Sequence, residues 1–191
     1  MPGYQTALIV QQGDSTALTA STTETSILNA QAKYVQPANT IDVIGKKFII
    51  RAHGRISNIV TTPGTLTMKV KLGPTANIAI GTSQAFALNV VAKTNVAWFL
   101  DLAVTIRSVG NGTVATAFVQ GQFTSESVIG SPLPSVGGVG THMWQAATPV
   151  VGTGFDSTVD NIWDLTGTWS LNNANSIQSH GYELSLENLT P

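Results

Sequence analysis

The chain has 191 residues, nine basic and ten acidic side chains, a net charge of −1 and no cysteine. Disulfides, thiolate chemistry and cysteine-ligated zinc are therefore excluded, and a length of this order suits one domain that buries its own core. Charged residues make up 10% of the chain, against about 25% in ordinary domains, which leaves weakly charged surface suited to packing against other chains.

Residues 1–26 are rich in Ser and Thr and hold one short apolar run, Ala7–Val10. They read as an extended N-terminal arm able to form a strand, followed by a single domain over 27–191. No basic segment precedes the apolar run as a secretory leader requires. The uncharged stretch Leu72–Ala92 is broken by Gly73, Pro74, Asn77, Gly81 and Asn89, which is no membrane helix. Ile27–Val35 mixes helical and strand signals and stops at Pro37. In KKFIIRAHGRIS, Phe48, Ile50, Ala52, Gly54 and Ile56 share one parity, and Ile49, Arg51, His53 and Arg55 the other. That pattern predicts a strand with one polar face, with Gly54 marking a bulge.

RISNIVTTPGTLTMKVKLG follows, with Leu66, Met68, Val70 and Leu72 on the core parity. Thr62-Pro63-Gly64-Thr65 fits a type II turn and predicts a hairpin. Asn77–Leu88 is a weaker strand. Val96, Trp98, Leu100, Leu102, Val104 and Ile106 form the longest alternation, and Asn111-Gly112 suits a type I′ turn into a return strand over about 113–124. The stretch 130–140, GSPLPSVGGVG, is a Gly/Pro-rich loop long enough to leave the body. Trp98, Trp163 and Trp169 fall on core parities, whereas Trp144 follows the loop and is expected to be exposed. Tyr182, Leu184 and Leu186 alternate with Glu183, Ser185 and Glu187 in a last strand. Eight to ten strands without an amphipathic helix predict an all-β antiparallel two-sheet sandwich, jelly-roll-like. Charge is split along the chain. Residues 1–110 hold nine basic and four acidic groups, net +5, and residues 111–191 hold six acids and no base, net −6. Interleaved halves of a sandwich neutralise such a split internally.

Chemistry-bearing motifs are sparse. Gly13-Asp14-Ser15 after an apolar run resembles the nucleophile block of SGNH hydrolases, but the residues three before His53, His142 and His180 are Ile50, Val139 and Ile177. The Asp-x-x-His pair of that family is missing, so the triplet reads as a turn. Three scattered histidines give no metal spacing. Asp156, Asp160 and Asp164 read as a surface row, since the calcium-loop spacing is absent. Gly137-Gly138-Val139-Gly140 lacks the lysine and helix of a phosphate loop. The expectation is a non-enzyme with no catalytic, metal or cofactor site, and with neither nucleic acid nor membrane as partner.

The blocks GRISNIVTTPGTLTMKVKLG (54–73), AKTNVAWFLDLAVTIRSVGNGT (92–113), QGQFTSESVIG (120–130) and VGTGFDSTVDNIWDLTGTWSLNNANSIQSHGYELSLENL (151–189) resemble a group of small virion structural proteins of tailed bacteriophages. The resemblance covers about residues 25–189. It implies a β-sandwich component of a phage particle, made in the host cytoplasm. Within that class a compact domain with an arm and a low-charge surface suggests a capsid decoration, or cement, protein on the outer capsid surface. Such a protein acts as a homotrimer that binds the assembled major capsid protein. The expected contacts are Leu8, Ile9 and Val10 of the arm, adding a strand to a neighbour, and Leu133, Val136 and Trp144 of the loop region. The alternative is a tail- or fibre-associated module that binds host glycans, with Trp144 and the loops as its site.

Overall fold

The computed structural model describes residues 4–129, 140–144 and 150–188. The larger sheet runs in the order β1 (Tyr4–Val10), β14 (Ser176–Asn188), β5 (Lys47–Asn58), β9 (Lys93–Ser108), β10 (Thr116–Ser125) and β11 (Gly140–Met143), with β2 (Leu18–Thr19) also on β14. The smaller sheet runs β3 (Thr25–Ser26), β13 (Asp164–Trp169), β6 (Thr65–Leu72) and β7 (Ile78–Thr82), with β8 (Phe86–Ala87) also on β6. A short ladder joins β4 (Val35–Gln36) to β12 (Asn161–Ile162), and a 3-10 turn spans Ala30–Ala32. Every ladder is antiparallel.

The principal strands in chain order are β1, β3, β5, β6, β7, β9, β13 and β14. The larger sheet holds the first, eighth, third and sixth of them side by side, and the smaller sheet the second, seventh, fourth and fifth. That order is the double Greek key of a jelly roll. The β10–β11 hairpin extends the larger sheet beyond it.

Alternation builds the core from both sheets. Phe48, Ile50, Ala52 and Ile56 of β5 and Trp98, Leu100, Leu102, Val104 and Ile106 of β9 face Leu66, Met68, Val70 and Leu72 of β6, all buried. Aromatic rings pack through the core, with Phe48–Trp163 centroids 5.0 Å apart, Phe86 of the smaller sheet 4.9 Å from Phe123 of the larger, and Trp98–Phe123 5.8 Å apart within the larger sheet. Trp163 and Trp169 are buried as their parity implies.

Several local expectations are corrected. RISNIVTTPGTLTMKVKLG is no hairpin, because β5 and β6 lie in different sheets and the segment 59–64 is a corner between them. Asparagines hold that corner. Asn58 Nδ2 donates to the carbonyls of Asn89 and Val91, and Asn175 Nδ2 donates to the Pro63 carbonyl while its Oδ1 accepts from Ile59 N–H. Gly64 does take the positive φ the turn needs, 76°. The β9–β10 connection is a true hairpin but not a two-residue one. Gly110 and Gly112 have positive φ and Asn111 does not, whereas a type I′ turn requires it at both central residues. The Asp156 carboxylate accepts from Gly112 N–H instead, across 2.8 Å. The expected N-terminal arm belongs to the sandwich, contributing β1 and β2 to one sheet and β3 to the other. Its Ser/Thr-rich composition hides this because β1 is an edge strand that packs only Leu8 and Ile9 against the core.

Candidate functional site

The outer face of the larger sheet is made by the residues that the core parity leaves over. On β5 these are Arg51, His53 and Arg55, on β9 Phe99 and Asp101, and on β10 Gln122 and Thr124. Register turns them into two rows. Glu183, Arg51, Asp101 and Gln122 are direct cross-strand neighbours on β14, β5, β9 and β10. Gly181, His53, Phe99 and Thr124 form the row beside them. Phe99 is 58% exposed, a large apolar ring among these polar side chains, and its centroid lies 6.2 Å from that of His53.

Two depressions share His53 and Phe99. One, of about 320 Å³, is walled by Arg51, Asp101, Gln122 and Thr124. The other, of about 360 Å³, is walled by Arg55, Ala97 and His180. A bulge in β14 between Ser179 and Gly181 places His180 in the wall of the second. It sits opposite Gly54, so the glycine in β5 faces the bulge and does not make it. A Cβ at Gly54 would stand 1.9 Å from the Gln178 carbonyl oxygen, and one at Gly181 2.3 Å from the His53 ring. Both glycines allow the backbones and the imidazole to close up there.

The charges on this face are unusual for the molecule. Elsewhere lysines and acids pair off, as in Lys33–Asp164, Lys46–Asp42, Lys47–Glu187 and Lys93–Glu126, and Glu24 takes both Lys69 and Lys71. Asp14 holds His180, Asp156 and Asp160 accept backbone N–H groups, Arg55 donates to the Asn95 carbonyl, and Arg107 lies over the Phe118 ring. Among the described residues, the charged side chains left without a hydrogen bond, ion pair or ring contact are Arg51, Asp101 and Glu183. They are consecutive members of one row.

The expected site residues lie elsewhere. Leu8 and Ile9 are half-buried and Val10 is exposed; Ile9 and Val10 already pair with β14 of the same chain, and Leu8 lies at the register shift between Ala7 and Ile9. Trp144 is not exposed. Its ring is fully buried 6.5 Å from Phe86, because β11 turns it inward, so it offers no contact surface. Leu133 and Val136 lie outside the described residues. Asp156, Asp160 and Asp164 are no surface row. Asp164 is buried, accepting from Ser26 Oγ and paired with Lys33. Structure does bring Asp14 to His180, at 2.7 Å. Ser15 beside them is buried, however, and its Oγ accepts the Ser179 N–H at 2.9 Å. No hydrogen bond joins Ser15 to a histidine among the described residues, and no metal-binding cluster occurs among them. Sequence reading missed Phe99 as a site residue. Its signal is an aromatic on the polar parity of β9, between Ala97 and Asp101.

The blocks that carry the phage resemblance supply both corners of the fold and, through Phe99, Asp101, Gln122 and Glu183, much of this face. Asn58 anchors the first, Asn95 has φ 54° at the start of the second, and Ser157 bonds Gly110 in the last. No protein-family model matches the chain, and no curated protein matches it either. Among solved structures it is similar to the CBM2 module of Lactobacillus casei BL23 phage J-1 evolved Dit, at 10% identity and a TM-score of 0.34 over the whole of both chains. A likeness that distant carries no argument, and the jelly roll rests on the strand order alone.

Proposed function

We propose that this chain is a non-enzymatic structural protein of a tailed-phage particle, and that its jelly roll serves there as a tail- or fibre-associated recognition module. The phage assignment draws on the four sequence blocks. The recognition role draws on one observation, the row Glu183, Arg51 and Asp101 that stands free beside exposed Phe99. Grouped, unsatisfied side chains around an exposed ring supply both orientation and apolar area to a ligand. Gold-labelled antibody on intact particles tests the placement. Label at the tail is expected, and label spread over the head overturns it.

The decoration reading, a homotrimer clamping the major capsid protein on the outer capsid surface, keeps one support in the low charge of the chain. The segment expected to add a strand to a neighbour is built into this chain's own sheet, where Ile9 and Val10 pair with β14. Particles lacking the protein would lose heat and osmotic stability under that reading, and keep it under the one preferred.

A further inference from the structure

We infer that the outer face of the larger sheet binds an uncharged oligosaccharide, with Phe99 as the stacking platform and Arg51, Asp101 and Glu183 as its hydrogen-bonding row. This rests on the recognition reading and adds the chemistry of the ligand. Charge gives the first argument. Glu183 and Asp101 offset Arg51 and Arg55 around the two depressions, so neither a polyanion nor a polycation meets a net attractive field. A polyol needs no such field. Its hydroxyls donate to the two carboxylates and accept from the guanidinium and the Gln122 amide, and each hydroxyl does both.

Phe99 gives the second. The C–H groups on one side of a pyranose ring carry slight positive charge and pack on the negative face of an aromatic quadrupole. A ring 58% exposed among polar side chains is placed for that contact. The third argument sets the sugar against a protein partner. Protein interfaces put aromatics in a core depleted of charge. A protein surface over Phe99 would bury three unpaired charges beside it, at a desolvation cost that only matched partners recover. Hydroxyls match all three. The row crosses three interstrand steps, about 14 Å, which is oligosaccharide length and more than a monosaccharide fills.

The test is a glycan array carrying neutral, sialylated and sulfated oligosaccharides, followed by calorimetric titration of the full chain with the neutral members retained. Retention of neutral glycans is expected, with affinity reduced about tenfold or more by Phe99→Ala and by Asp101→Ala. Gln120→Ala, on the same face but outside the depressions, should leave it unchanged. Phe99 and Asp101 are exposed, and unchanged melting of their variants excludes unfolding as the cause. Retention of acidic glycans alone, no retention of neutral ones, or retention indifferent to Phe99→Ala overturns the inference. Placement is tested separately. Antibody label on the head with neutral-glycan binding intact would remove the tail assignment and leave the sugar site standing.

Discussion

On the outer face of the smaller sheet, Lys69 and Lys71 both close on Glu24, and the Thr166 hydroxyl donates to the same carboxylate. On the outer face of the larger sheet, Arg51 stands in register between Glu183 and Asp101 and closes on neither. Position explains the contrast. Glu24 comes from the loop before β3 and reaches over two lysines that alternate along β6, so its partners converge on it. Arg51, Asp101 and Glu183 each rise from a strand into water, where an ion pair gains little, although Lys47 and Glu187 do close further along β5 and β14. Glu24 records the difference in its acidity. Partial burial raises its pKa, but the hydrogen bonds and charges of the two ammonium groups outweigh that and bring it to about 2. One face has satisfied itself, while the other holds its hydrogen-bonding capacity in reserve.

The comparison can be broken at its geometric root. Gly54→Ala drives a Cβ into the Gln178 carbonyl, 1.9 Å away. It should cost about 3 kcal/mol in chemical denaturation and displace the bulge that places His180 on the larger face. Glu24→Gln should cost less, about 1 kcal/mol, by leaving Lys69 and Lys71 facing each other unneutralised. It also carries a pH signature. Glu24 binds its proton less tightly in the folded state, so the unfolded chain takes up the proton first as pH falls. The stability it contributes is full above the ordinary value of 4.5 and is lost as pH drops toward 2. Acid titration of Glu24→Gln should lack that component of the loss. Smallest of all, Asp101→Asn or Glu183→Gln should change stability by less than about 0.5 kcal/mol, since neither side chain has a partner to lose. A larger loss in either variant would mean that the row is already engaged within the chain.

Alternation made the faces readable. The parity of Phe48 to Ile56, Leu66 to Leu72 and Val96 to Ile106 divides core from solvent as the structure does. It does not say which strand lies beside which, and the corner at 59–64 looked like a hairpin for that reason. Proline and glycine suit both, and the deciding groups, Asn58 and Asn175, act across long stretches of chain. The site was less legible still. Arg51 and His53 were visible as polar-face residues, but their assembly with Asp101 and Glu183 depends on the register of β14, β5 and β9. Trp144 attracted attention by following a loop, yet the direction of its side chain is set by β11, whose four residues, Gly140–Met143, gave too short a pattern to read.

β14 touches β1, β2 and β5, and the side chains of Gln5 and Ser185 meet across 180 positions of sequence. A nascent chain emerging from the ribosome has therefore made both flanks of the larger sheet before the strand that joins them exists. Until residues 176–188 arrive, β1 has no neighbour and β5 presents an unfilled edge. Such edges pair with whatever strand comes first, including that of another copy. Pausing before β14 has emerged thus exposes this chain to intermolecular strand pairing, and its emergence ends that exposure.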